Sequence, residues 1–226
     1  MDVRVISIGT LSAHPLWNER EPVRSGHATT TLIRTGKHTI LVDPGLPEQA
    51  LTARLGERTG LTPADITHVF LTTFHPECRR ALAAFTKATW WIGEVERETV
   101  GVPLAKALTE MHGREDPARI EDLRLEVAML KRCTPAPDRL APGVDLYPMP
   151  GVSPGLCGLL IAHQNHTTIL CADAIPTIEH LEQGKILPWA ENIDQAQESF
   201  KEAVELADTL ILGRDNITIN PTKRPF

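Results

Sequence analysis

Runs of four to eight residues rich in Val, Ile, Leu and Thr are punctuated along this chain by Gly, Pro and Asp, and they alternate with stretches whose apolar residues recur every three or four positions. Val3 to Ile8 alternates apolar and polar and predicts an early strand. Ala28 to Thr35 and Lys37 to Val42, separated by Gly36, predict a hairpin. After Asp43-Pro44-Gly45, Pro47 to Arg58 places Leu51 and Leu55 on one helical face, and Gly60 is the stop signal. Ile66, Val69, Phe70 and Leu71 then predict a buried strand, followed by a helix from Glu77 to Thr86 and a short strand from Ala88 to Ile92.

The second half repeats the scheme. Gly93 to Cys133 is mostly helical by spacing, with a start signal at Asp116-Pro117 and Ile120, Leu123, Val127 and Leu130 on one face. Pro135 to Gly143 predicts a turn-rich connector. Strands follow at Val144 to Met149, Cys157 to His163 and Thr167 to Ala172, the last two joined through Gln164-Asn165-His166. Asp194 to Ala207 is an amphipathic helix, Thr209 to Leu212 a final strand, and the tail to Phe226 is polar and loosely held. Strands, helices, strands, helices in two similar halves predict a layered α/β domain spanning residues 1–226.

Composition narrows the function classes. The 226 residues are 42% hydrophobic and 23% charged, an ordinary balance for a folded domain. A formal net charge of −6 argues against a surface that tracks phosphates, so no nucleic-acid partner is expected. No secretory signal and no membrane span is visible, and Cys78, Cys133, Cys157 and Cys171 show neither CxxC spacing nor a disulfide pattern. A cytoplasmic protein with free thiols is the expectation. No GxxxxGK[ST] or GxGxxG motif occurs. Gly151-Val-Ser153-Pro-Gly155 has the outward form of a nucleophile elbow, but Pro154 would obstruct the helix that an elbow needs.

The chemistry concentrates after the predicted strand ending at Leu71. There Thr72-Thr73-Phe74-His75-Pro76-Glu77-Cys78 supplies imidazole, carboxylate and thiol on a rigid edge. This stretch resembles the Leu-Thr-His-x-His-x-Asp-His signature of the metallo-β-lactamase superfamily: Thr73 stands at the first His, His75 at the second, Glu77 at the Asp and Cys78 at the last His. Four further segments, in order, are similar to the family's pattern. They are Thr30-Thr31-Leu32-Ile33 with Ile40 to Gly45, Pro150 to Gly155 with Val152 at a metal-binding His, Ala172-Asp173-Ala174, and Leu212-Gly213-Arg214-Asp215 with Arg214 at the last His.

The resemblance implies a four-layer αββα sandwich of two mixed β-sheets flanked by helices. It also implies a metal-dependent hydrolase acting on a small ester, thioester, lactone or phosphoester. In such enzymes the metal polarises the substrate and lowers the pKa of a bound water. Two readings of this chain stay open. In one, His75, Glu77, Cys78 and Asp173 hold a single Zn or Fe ion, with Asp173 and Glu77 catalytic. In the other no metal is held, the protein is catalytically silent, and Arg214 pairs with Asp173 to fill the vacated position while the pocket binds a small molecule or a protein. His14 and Trp17, on the loop that overhangs the site in relatives, are candidate ligand contacts beside Arg214.

Overall fold

A computed structural model describes residues 1–110, 117–163 and 165–223. The start signal at Asp116 and Gln164 of the hairpin turn lie outside these residues. Two six-stranded sheets stack face to face. The first runs β1 (Asp2–Ser7), β2 (Thr30–Thr35), β3 (His38–Val42), β4 (His68–Leu71), β5 (Thr89–Ile92) and β6 (Thr134–Pro135). Its first two pairings are antiparallel and the remaining three parallel. The second sheet, from edge to edge, is β12 (Ile217–Ile219), β11 (Thr209–Leu212), β10 (His166–Ala172), β9 (Cys157–His163), β8 (Val144–Pro148) and β7 (Arg139–Ala141). Only β10 and β11 run parallel in it.

Period-two alternation sorts the side chains into layers. Ile40, Val42 and Phe70 of the first sheet meet Leu159, Ile161, Leu170 and Ile211 of the second in the central core. The outward residues Leu41, Val69 and Leu71 pack on Leu51 and Leu55 of α1 (Glu48–Thr59), which ends at Gly60 in a left-handed cap. On the opposite side Ile169, Cys171, Leu210 and Leu212 pack on Phe200 and Ala203 of α6 (Ile193–Leu206). Burying each such side chain contributes about 1.5–3 kcal/mol, which locks the strands in register. The order of layers is therefore helix, sheet, sheet, helix. The fold is the αββα sandwich.

Some expected elements differ. The helix expected over 77–86 is only one turn, α2 (Pro76–Arg79), followed by a short 3-10 turn at Leu82–Ala84. The Ala81 N–H leaves the helical ladder and donates to the Pro44 carbonyl at 2.9 Å, and Arg79 curls back to the Phe74 carbonyl at 2.8 Å. Arg79 is buried against the Phe74 ring and Glu126. The connector at Pro135 to Gly143 contains β6 and β7, and the tail contributes β12. These are edge strands of two or three residues, too short for a period to register. A six-residue helix, α5 (Ile178–Gln183), was equally invisible. The long helical region consists of α3 (Glu94–Glu110) and α4 (Pro117–Arg132).

Candidate functional site

The strand ends converge on one cavity. At the end of β3, Asp43 takes a positive φ of 48°, and at the end of β10 Ala172 takes 49°, both unusual for residues other than Gly. These two sharp exits direct the chain away from each sheet and set Asp43 and Asp173 near one another. The chain segment ahead of β2 ties the halves together: Ala28 N–H donates to the Glu77 carbonyl at 2.9 Å and Thr29 N–H to the Gly213 carbonyl at 2.8 Å. Gly213 is required by closeness, because a Cβ there would stand 2.1 Å from the Ala172 carbonyl oxygen. That approach brings Arg214, the next residue, against Asp173.

The Arg214 side chain forms the centre of the site. Its Nε donates to Asp173 Oδ1 at 2.7 Å and its Nη2 to Asp173 Oδ2 at 2.8 Å, a two-pronged pair, while Nη1 donates to Glu77 Oε2. The residue is 4% exposed. Burial opposes the guanidinium charge, yet Asp173 and the other acidic groups around it outweigh that and hold the Arg214 pKa well above its ordinary value. Burial likewise opposes the Asp173 charge, and Arg214 reverses the balance, so the carboxyl stays below the usual carboxylate range.

The remaining expected ligands are spread around this pair. His75 caps α2, its Nδ1 accepting the Glu77 N–H at 3.3 Å, so that the neutral ring carries its proton on Nε2. Burial and the nearby Arg214 lower the His75 pKa, so the ring is neutral at physiological pH and acts as a donor. Cys78 is buried beside Thr73, 3.6 Å from its hydroxyl, and burial pushes its thiol well above the ordinary range. Asp43 is fully buried and accepts from Thr72 N–H at 2.9 Å and Thr72 Oγ1 at 2.7 Å; burial raises its pKa to about 7.

This donor set does not fit a metal ion as it is arranged. Asp173 and Glu77 point their oxygens at a guanidinium, a permanent cation, and Cys78 is held as a thiol. Among the described residues no group of three or more His, Cys, Asp and Glu side chains is placed to hold an ion.

A cavity of about 560 Å³ opens over the pair, within the usual range of small-molecule sites. Arg214, Asp173, Glu77 and His75 line it together; Cys78 is not among its lining residues. The lining also includes Phe74, Ser153 and three residues that the sequence did not single out, Glu96, Trp189 and Glu191. Glu96 is the one buried side chain of α3, held by Phe74 N–H at 3.0 Å and the Ser153 hydroxyl at 2.8 Å. A carboxylate in a first helical turn shared with Glu94 gave no sign of this, since the helix dipole favours it there anyway. Trp189 offered a faint signal, as a large aromatic in a Pro-containing loop after the Asp173 segment.

His14 and Trp17 lie to one side of this lining. Their rings stack at 4.1 Å, and His14 Nε2 meets Thr177 Oγ1 at 3.1 Å and Glu179 Oε2 at 3.3 Å. Thr177 also contacts His180 Nδ1 at 2.9 Å, and burial lowers the His180 pKa to about 4. Among the described residues no helix is long and apolar enough to cross a membrane.

Comparison with known proteins accounts for this arrangement of strand ends. No curated protein matches the chain in sequence. Solved structures do match in fold. A putative metallo-β-lactamase from Thermotoga maritima superposes with a TM-score of 0.68 at 16% identity, covering 96% of this chain and 98% of its own. A probable metal-dependent hydrolase from Staphylococcus aureus gives 0.68 at 16% identity, covering 95% of this chain and 89% of its own. AidC, a dizinc quorum-quenching lactonase solved with the product N-hexanoyl-L-homoserine, gives 0.65 at 18% identity, covering 85% of this chain and 74% of its own. The family model of the metallo-β-lactamase superfamily matches residues 23–213, so the span from the overhanging loop to the residue before Arg214 is accounted for, and the chain belongs to that superfamily.

Proposed function

We propose that this protein keeps the superfamily's cavity as a small-molecule binding site and holds Arg214 there in place of a metal ion, without metal-dependent hydrolysis. The observation that carries this reading is the Arg214 guanidinium, bonded to both oxygens of Asp173 and to Glu77. A fixed cation already neutralises the carboxylates that an incoming ion would need, and displacing it would strand a buried charge at a cost of about 3–5 kcal/mol. His75 supplies a neutral N–H donor in the same lining. Substrate turnover would need an activated water, and the neighbouring imidazole, protonated on Nε2 and engaged on Nδ1, offers no free basic nitrogen.

A second reading is a hydrolase with a single Zn or Fe ion that acts on a small ester, thioester, lactone or phosphoester. It is favoured by the common placement of His75, Glu77 and Asp173 in one cavity lining, and by the membership of a hydrolase superfamily. It requires Arg214 to swing away. Elemental analysis of protein purified without a metal-affinity tag separates the two. The proposal expects well under one equivalent of metal and a melting temperature unchanged by excess EDTA. About one equivalent of zinc or iron, lost in Asp173→Asn, would overturn it.

A further inference from the structure

Resting on that reading of the cavity as a binding site, we infer that its ligand is a small organic ammonium with an apolar body, its cation seated between Glu96 and Glu191 and against Trp189. The cavity is lined by four carboxyl side chains, Glu77, Glu96, Asp173 and Glu191, and by a single cationic one, Arg214. That guanidinium is committed, with three nitrogens bonded to Asp173 and Glu77. Glu96 and Glu191 take part in no ion pair among the described residues.

Glu96 is the informative one. It is 3% exposed, and among the described residues its partners are neutral donors, one on each oxygen. A carboxylate accepts about four hydrogen bonds, so roughly half of its capacity remains. A carboxyl so buried, with no cationic partner among the described residues, favours a cationic group arriving through the adjoining cavity. Trp189 lines the same space with 54% of its surface exposed, and an indole face is the best aromatic partner for a cation. Leu11, Val100 and Leu187 complete an apolar lining for the body of the molecule. An anion would meet the same carboxylates with no free cation to receive it.

Isothermal titration of the 226-residue protein with n-hexylammonium, n-hexanoate and n-hexanol tests the assignment at constant probe length. Saturable binding of hexylammonium, roughly tenfold or more tighter than either other probe, is expected, with a similar loss in Glu96→Gln. Glutamine keeps both contacts, its oxygen accepting from Phe74 N–H and its amide donating to Ser153 Oγ. Should that variant fail to fold, Glu191→Gln on the exposed loop carries the same expectation. Equal affinity for hexanol or hexanoate, or hexylammonium binding unchanged in both variants, overturns the ammonium assignment and leaves the cavity a binding site. No binding by any of the three overturns it together with the binding reading. A stoichiometric metal ion overturns the proposed function and is detected in the separate elemental analysis.

Discussion

Two parts of the cavity lining, a closed wall and an open wall named for how their charge is met, treat charge in opposite ways. On one, Asp173, Glu77 and Arg214 satisfy one another, and the charges close within the chain. On the other, Glu96 is just as buried but has only neutral donors, and Glu191 and Trp189 stand open. Both walls grow from the same ends of the sandwich, so the fold does not dictate the difference. Side-chain identity does. In a site where all charge is internally compensated, little is left to select a ligand, whereas an uncompensated buried charge discriminates by sign. Under the proposed binding role, the closed wall is structural support and the open wall the source of specificity.

The largest effect should come from opening the closed wall. Arg214→Met keeps most of the side-chain volume and leaves Asp173 buried without its partner. A loss of about 3–5 kcal/mol in urea unfolding at pH 7 is expected. A loss below about 1 kcal/mol would mean that the pair is solvated and the two walls do not differ. The pH dependence has a definite sign. Arg214 depresses the Asp173 pKa, so its stabilisation is present above the ordinary carboxylate range and is lost as pH falls through the folded value. In Arg214→Met that acid-side loss should shrink.

Behind the closed wall, Asp43 should produce the next largest effect, with the opposite sign. Its pKa rises from 3.8 unfolded to about 7 folded, so the native state retains a proton that the unfolded chain has already released. Stability from this group is therefore complete below pH 4 and declines as pH rises to 7, by an amount on the order of a few kcal/mol. Asp43→Asn removes the titration. Asparagine tolerates the positive φ and can still accept from the Thr72 amide. Urea unfolding at several pH values should show the variant gaining on the parent protein from pH 4 to 7, with no difference in slope above. Parallel curves throughout would show that Asp43 is ionised in the native state.

Much of this geometry was visible in the sequence, and the exceptions have a common cause. Leu51 and Leu55, or Ile169 and Cys171, declare their element through a period that packing enforces, and those elements formed as expected. Arg214 was suggested by its position in Leu212-Gly213-Arg214-Asp215, and its pairing with Asp173 was one of the two readings that the family resemblance left open. Glu96 could not be found that way. Its role depends on Phe74 and Ser153, far from it in sequence, and nothing local to α3 distinguishes it from Glu94 or Glu98. The one-turn α2 escaped for a similar reason, since the Pro44 carbonyl that ends it lies more than thirty residues upstream.

A smaller effect tests how firmly Glu77 belongs to the closed wall. Glu77 holds Arg214 through one nitrogen and its side chain is 20% exposed, against a two-pronged contact and 14% for Asp173. Glu77→Gln should cost about 1 kcal/mol, well below Arg214→Met. Gly26→Ala reaches the same contact from behind. A Cβ on Gly26 would lie 2.2 Å from Glu77 Oε1, and because the obstructing atom is the end of a flexible side chain, Glu77 can rotate away instead of the backbone moving. The expected loss is therefore no more than about 1 kcal/mol, and it arises from the same lost bond. In a double-mutant cycle the two changes should not add, since either alone releases Glu77 from Arg214. Full additivity would mean that alanine is accommodated by a shift of the backbone near Ala28, leaving the Glu77–Arg214 bond intact.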